Sequence, residues 1–343
     1  MIDLQLLTET ARELFADDKG LLAMDESNGT CNKRFAAVGI PQTEEARRSY
    51  RELIITSPGL DESIGGAILY DETIHQKTGD GIPFVKILND KGIIPGIKVD
   101  TGAKEMAGFS GEKITEGLDG LRDRLKIYFE MGARFAKWRA VFAISESNPS
   151  FACLNANANA LARYAALCQE RGLVPIIEPE VLMKGTHSLE RCREVTEYVL
   201  RGVFDHLSEQ HVLLEGLIVK PNMVLAGLSC VNQPTVNDIA EATVATLLRT
   251  VPAAVPAIAF LSGGQSPEQA SERLNAINVK FKTRAPWALA FSFARAIQQP
   301  ALEIWKGQKS NCVAAQTGLV HRTECDRAAR RGKYQLLMEE SKS

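Results

Sequence analysis

A chain of 343 residues, 45% hydrophobic and 24% charged, has ample material for a packed core, which excludes a disordered polymer or a small disulfide-stapled scaffold. A formal charge of -2 with scattered basic residues excludes a dedicated nucleic-acid surface, and no run of about 18 apolar residues offers a membrane span. The seven cysteines form no C-x-x-C pair, and an odd number cannot all pair within one chain, so reduced thiols in cytoplasm are expected.

Met1 to Phe15 reads as an amphipathic helix carrying Asp3, Glu9, Arg12 and Glu13, without the basic-then-apolar order of a signal peptide. Short apolar runs then alternate with helical segments, the pattern of βαβ units around a parallel sheet. The runs are Gly20–Asp25, Gly66–Tyr70, Ile93–Lys98, Phe135–Val141, Val174–Glu178, Gly216–Lys220, Ala257–Leu261 and Trp287–Phe291. Gly92, Gly132 and Gly172 each precede a run, where the helix before it needs a left-handed residue to stop. Asn155 to Arg171 places Leu161, Tyr164, Ala165 and Cys168 on one helical face, and Ser266-Pro267-Glu268-Gln269 has the order of a capping box with proline in the first turn.

Eight such strands predict a (β/α)8 TIM barrel of the α/β class, with an N-terminal helix. No Pro/Gly/Ser-rich linker divides the chain, so residues 1–343 are read as a single domain: a barrel over about 20–308, then an extension over about 309–343. The extension is expected to form a peripheral helix, with Arg327, Arg330 and Arg331 on a solvated face, and then a mobile tail.

Catalytic groups of such barrels stand at the C-terminal strand ends. Polar residues occupy those places here: Asp25 and Ser27, Lys98 and Asp100, Lys137 and Arg139, Glu178 and Glu180, Lys220, Ser262 and Arg295. Several pairs are two residues apart, which sends both side chains to one face of a strand. A single strand-end lysine usually just reaches solvent; charges of both signs converging on one mouth are where titration is perturbed for chemistry.

A lysine nucleophile must be uncharged, which burial and neighbouring cations favour. Lys220 follows Leu217-Ile218-Val219, the most apolar approach among the three lysines, and Pro221 stops its strand at once, so it is the best Schiff-base candidate. Dehydrating the carbinolamine needs an acid, which Glu178 or Glu180 can supply: two carboxylates on one strand face should raise the pKa of one, while a nearby lysine keeps the other ionised. Pro179 between them argues against an ordinary central strand position.

Phosphate recognition in this fold belongs to the loops after strands seven and eight. Ser262-Gly263-Gly264 and Arg295 stand there, with a helix N-terminus beginning near Ser266. Ser27, Lys33, Arg34 and Lys98 are candidates for a second anion across the mouth. The five histidines form no H-E-x-x-H and show no metal-ligand spacing to carboxylates, so no metal is expected, and neither a P-loop nor a strand-borne G-x-G-x-x-G supports a nucleotide cofactor.

Leu22-Ala-Met-Asp-Glu-Ser27, Gly96-Ile-Lys-Val-Asp100, Phe135-Ala-Lys-Trp-Arg139, Ile177-Glu-Pro-Glu180, Val219-Lys-Pro-Asn-Met223 and Phe260-Leu-Ser-Gly-Gly-Gln265 together resemble class I fructose-bisphosphate aldolases over roughly residues 5 to 334. The resemblance implies a metal-independent homotetramer without cofactor, cleaving fructose 1,6-bisphosphate to dihydroxyacetone phosphate and glyceraldehyde 3-phosphate in glycolysis and gluconeogenesis. It implies Lys220 as the imine lysine, Glu178 as principal acid/base and Asp25 at the C4 hydroxyl proton, with Lys137 and Glu180 supporting electrostatically. Ser262, Gly263, Gly264, Ser292 and Arg295 would hold one phosphate, while Arg34, Lys98 and Ser27 serve the other end and Arg139 joins the substrate-binding set.

The sequence departs from the family pattern twice. It ends Tyr334-Gln-Leu-Leu-Met-Glu-Glu-Ser-Lys-Ser343 rather than in a terminal tyrosine, which leaves enamine proton exchange to another group or water, with Tyr334 as a candidate. Ala294 stands where glycine is frequent before the arginine, and its methyl could crowd the phosphate loop. The alternatives are a transaldolase-like or keto-acid aldolase, which would lack two phosphate grips, and a non-catalytic scaffold on the same fold.

Overall fold

The computed structural model describes residues 3–340, so the first two and last three residues of the expected N-terminal helix and tail lie outside the described residues. Among the described residues there are ten strands: β1 (Gly20–Ala23), β2 (Ile64–Leu69), β3 (Ile94–Lys98), β4 (Gly102–Glu105), β5 (Lys113–Glu116), β6 (Phe135–Phe142), β7 (Val174–Val181), β8 (Ile218–Val219), β9 (Ala257–Phe260) and β10 (Ala288–Phe293). Eight of them close a parallel barrel in the order β1-β10-β9-β8-β7-β6-β3-β2, while β4 and β5 form a separate antiparallel hairpin. All eight expected barrel strands are found. The hairpin was not foreseen: apart from Ile114 its strands are polar or small, and they carry no apolar alternation to read.

The barrel strands alternate between two cores. Leu21, Ala23, Ile68, Phe135, Val174, Ile176, Ile218, Ala257, Ala259 and Ala290 fill the interior, and their alternate neighbours pack against the surrounding helices. Gly96 makes room for the Phe135 ring, whose carbons lie 2.2 Å from where a Cβ would stand. The helix Leu4–Glu13 closes the N-terminal end: Leu7, Ala11, Leu14 and Phe15 join the interior cluster, and a Cβ on Gly65 would sit 2.3 Å from the Leu14 carbonyl oxygen. With that end sealed, the open end is the one where the strands finish.

Helix boundaries follow the expected signals. Gly92, Gly132 and Gly172 have φ of 68°, 108° and 81°, and Ser266 and Gln269 form the reciprocal capping box with Pro267 in the first turn. The long outer helix begins earlier than expected, at Phe151, because the Ser150 side chain caps it through the Cys153 amide.

Three expectations are corrected. Pro179 does lie within β7, a central strand, paired with Ala140 on β6. The other edge of β7 is free there because β8 ends at Val219: Ile177 still accepts the Lys220 amide at 2.8 Å, whereas the Val181 amide turns to Asn222 Oδ1 at 2.9 Å. Between these two partners no strand requires a donor, which is where proline is tolerated.

The arginines of helix Cys312–Arg330 and its end are not all solvated: Arg331 is exposed, as expected, but Arg330 is buried. Arg330 is 5% exposed and donates to the Phe15 carbonyl, while Arg327 reaches the Asp17 carbonyl and Arg331 the Asp18 carboxylate. They bind the C-terminal helix to the barrel's sealed end.

The segment after it is docked rather than mobile through residue 340. Tyr334 is 6% exposed, its amide bonds to Asn275, and the turn Leu336–Glu339 returns Glu339 to the Tyr334 hydroxyl and Arg322.

Candidate active site

The side-chain alternation that fills the interior also builds the site. Leu21 and Ala23 lead to Asp25; Phe135 to Lys137 and Arg139; Val174 and Ile176 to Glu178 and Glu180; Ile218 to Lys220; Ala288 and Ala290 to Ser292. Each charged group is thus the next inward residue of its strand or just past its end, held on a packed column. Together with Lys98 and Asp100 they line a cavity of about 650 Å³ at the open mouth.

At its floor four charges alternate. Lys137 Nζ lies 2.8 Å from Asp25 Oδ2 and 2.7 Å from Glu178 Oε2, and the other Glu178 oxygen is 3.3 Å from Lys220 Nζ. All four residues are 8% exposed or less. Burial alone would raise the Asp25 and Glu178 pKa values, but Lys137 and then Lys220 overrule it and hold both below the ordinary carboxylate range. Burial likewise opposes the Lys137 charge, yet Asp25, Glu178 and Asp100 push its pKa well above that of a free amine. The expectation of one raised carboxylate is therefore corrected for Glu178. It does not face Glu180 as an uncompensated twin, because Glu180 turns to Arg139 Nε at 2.6 Å and Glu178 to the lysines.

This arrangement separates the three lysines. Lys137 is gripped by two carboxylates, and Lys98 by both the carboxylate (2.6 Å) and the carbonyl (2.7 Å) of Asp100. Lys220 has one carboxylate contact, Glu178 at 3.3 Å, and is the least tightly held of the three.

On the β9–β10 side, Ser262, Gly263, Ser292 and Arg295 line the mouth. Gly263 has φ of 57°, the conformation glycine permits, and the Arg295 guanidinium donates to its carbonyl. The Ser292 hydroxyl is buried without a hydrogen-bond partner among the described residues. Ala294 also lines the mouth; its φ of -108° imposes no left-handed strain on alanine. Gly264 is not brought to this mouth. It stands outside this cavity, in an adjoining depression with Lys33 and Gln299, and its amide faces the Met183 sulfur.

On the β1–β3 side stand Ser27, Arg34, Lys98 and Arg139. Ser27 caps the helix Asn28–Ala37 through the Thr30 amide. Arg34 is pinned by Glu26 and Gln299, which orients it toward the mouth instead of leaving it a loose surface charge. Lys33 lies only in the adjoining depression. Tyr334, the candidate for enamine proton exchange, is not among the lining residues, and its hydroxyl is committed to Glu339 at 2.7 Å.

Several lining residues escaped sequence reasoning. Glu26 sits inside a quoted motif, but its role shows only in space: buried, it accepts from Arg34, Arg51 and Gln298. Thr30, Tyr70 and Lys113 also line the mouth, the last because the β4–β5 hairpin folds over it. No local pattern marks Tyr70 or Lys113, whose partners Lys98 and Glu105 are 8 or more residues away.

A barrel floor on which a lysine amine stands beside a buried carboxylate, below arginine and lysine side chains, is the arrangement that the class of imine-forming lyases requires. A family model described as "Glycolytic: Fructose-bisphosphate aldolase class-I" matches residues 6–343. The chain is 54% identical over 334 residues (97% of the chain, 99% of the relative) to "Probable fructose-bisphosphate aldolase class 1" of Xanthomonas campestris pv. campestris. It is 52% identical over 317 residues (92% and 88%) to "Fructose-bisphosphate aldolase 6, cytosolic" of Arabidopsis thaliana. Among solved structures, fructose-bisphosphate aldolase from Plasmodium falciparum, in complex with TRAP and a small-molecule inhibitor, superposes with a TM-score of 0.95 at 47% identity, over 97% of this chain and 96% of that one.

The chain belongs to the class I fructose-bisphosphate aldolase family. It is an aldehyde-lyase of glycolysis, acting on a sugar phosphate. No helix among the described residues is long and apolar enough to cross a membrane.

Proposed function

We propose that cleavage of fructose 1,6-bisphosphate runs here through an imine on Lys220, with Glu178 as its proton carrier. The single observation that carries this is the bridging of Lys220 and Lys137 by one buried carboxylate. Ionised Glu178 takes the proton of the Lys220 ammonium, and the freed amine attacks the C2 ketone. Glu178, now an acid, returns that proton to the carbinolamine hydroxyl, which leaves as water and yields the protonated imine. Asp25 receives the C4 hydroxyl proton as the C3–C4 bond breaks. The bonding electrons move into the imine, giving the enamine on Lys220 and releasing glyceraldehyde 3-phosphate.

Lys137 stays charged throughout, stabilising both carboxylates and the hydroxyl they act upon. Glu180 supports these steps by holding Arg139. One phosphate would be held by Ser262, Gly263, Ser292 and Arg295. The other would meet Lys98, Arg139, Ser27 and Arg34, so that each end of the bisphosphate finds cations. Water or a lining group then protonates the enamine.

The remaining features are inferred by kinship: one domain spanning the chain, a homotetramer, and a cytoplasmic place like that named for the Arabidopsis relative. Steady-state kinetics on fructose 1,6-bisphosphate and fructose 1-phosphate test the two-grip reading. Arg139→Ala should raise KM for the bisphosphate and leave that for the monophosphate nearly unchanged; equal effects on both would contradict it.

A further inference from the structure

Outside the barrel mouth, His321 and Cys325 on the helix Cys312–Arg330 meet Glu339 from the docked C-terminal turn, with one donor atom of each within 4.8 Å of the other two. A histidine and a cysteine four residues apart share a helix face. Cys325 Sγ is 3.6 Å from His321 Nε2, which is 3.9 Å from Glu339 Oε2. Donors on a tetrahedral zinc ion, bound at about 2.0–2.3 Å, stand about 3.3–3.8 Å apart. Only a small contraction is needed.

The surroundings orient the donors. Glu339 Oε1 accepts the Tyr334 hydroxyl at 2.7 Å and the Arg322 guanidinium, which leaves Oε2 on the His321 side. Arg322 is itself fixed by Ser271 at 2.7 Å. Supporting bonds of this kind hold metal ligands in place. Cys325 is fully buried, while the His321 and Glu339 side chains keep 14% and 17% of their exposure, enough for an ion to enter.

We propose that His321, Cys325 and Glu339 bind one thiophilic divalent cation of the zinc type, with water as fourth ligand, clamping the C-terminal segment onto its helix. The donor set of imidazole, thiolate and carboxylate favours zinc over magnesium or calcium. On binding, Cys325 releases its thiol proton to solvent, and thiolate and carboxylate balance the ion's charge. None of the three lines the mouth, so the aldol reaction stays independent of this ion.

Chelator-treated full-length protein is titrated with Zn2+ by calorimetry and with Co2+ by absorption. The expected result is one ion per chain, with a thiolate-to-cobalt charge-transfer band that Cys325→Ser removes. His321→Gln and Glu339→Gln should each weaken zinc affinity by about 10-fold or more with turnover retained. Zinc should also slow proteolysis between residues 331 and 340. Circular dichroism identifies any unfolded variant, and Glu339→Gln, on the partly exposed turn, then decides. No zinc uptake by the wild type, undiminished affinity in Glu339→Gln, or a band that survives Cys325→Ser overturns the proposal.

Discussion

Lys220 and Lys137 differ by little in sequence: each is a lysine that follows a hydrophobic run, Lys137 within β6 and Lys220 just past β8, and both line the same mouth. Their neighbours separate them, two carboxylates against one. Lys220→Arg keeps the charge but cannot form an imine, so kcat should fall by at least about 10⁴-fold with the fold intact. Lys137→Met removes the cation between Asp25 and Glu178 instead. It should cost about 10²–10³ in kcat and also lower the melting temperature, because two buried carboxylates lose their compensation.

The same quartet predicts a stability profile. Asp25 and Glu178 have depressed folded-state pKa values, so their contribution is present above the ordinary carboxylate pKa of about 4 and is lost as pH falls below it. Lys137 has a raised folded-state value, so its contribution is present below about pH 10.4 and is lost as pH rises beyond. Melting temperature should hold a plateau between these limits. In Lys137→Met the alkaline loss should shrink; an unchanged alkaline limb would count against the ion-pair account.

Gly96 shows how an element sets the site's height. Phe135 fills the layer beneath Lys137, and it does so by resting where Gly96 has no side chain. Gly96→Ala should destabilise the protein by about 1–3 kcal/mol in urea denaturation, and Phe135→Leu on that background should recover part of the loss. If alanine at 96 is neutral, the layered column does not fix the floor as described.

Strands were legible because barrel strands are apolar on both faces, and their inward lysines and glutamates stood out against that background. β8 shrank to Ile218–Val219 since Leu214–Gly216 forms a 3-10 turn and Pro221 follows directly. What resisted reading depended on distant partners. The polar β4–β5 hairpin is positioned by the mouth it covers, the Met183 contact that turns Gly264 away comes from 81 residues off, and Arg330 looks solvated until its partner, the Phe15 carbonyl, is seen. The periodicity of one segment carries no record of contacts made by distant ones.

Across the whole molecule, one end of the barrel is sealed by the N-terminal helix and the arginine-bound C-terminal helix, and the other carries the candidate site. The proposed homotetramer predicts a particle of about four times the 37.5 kDa chain mass in sedimentation analysis, and a monomer would contradict that proposal. EDTA should leave turnover intact, since every charge needed at the mouth is supplied by side chains.

The most direct test of the central claim is borohydride reduction in the presence of dihydroxyacetone phosphate, followed by peptide mass mapping. One added triose phosphate per chain, on the peptide containing Lys220 and absent from Lys220→Arg, is the predicted result. A label on Lys98 or Lys137, or no covalent trapping despite active turnover, would contradict it.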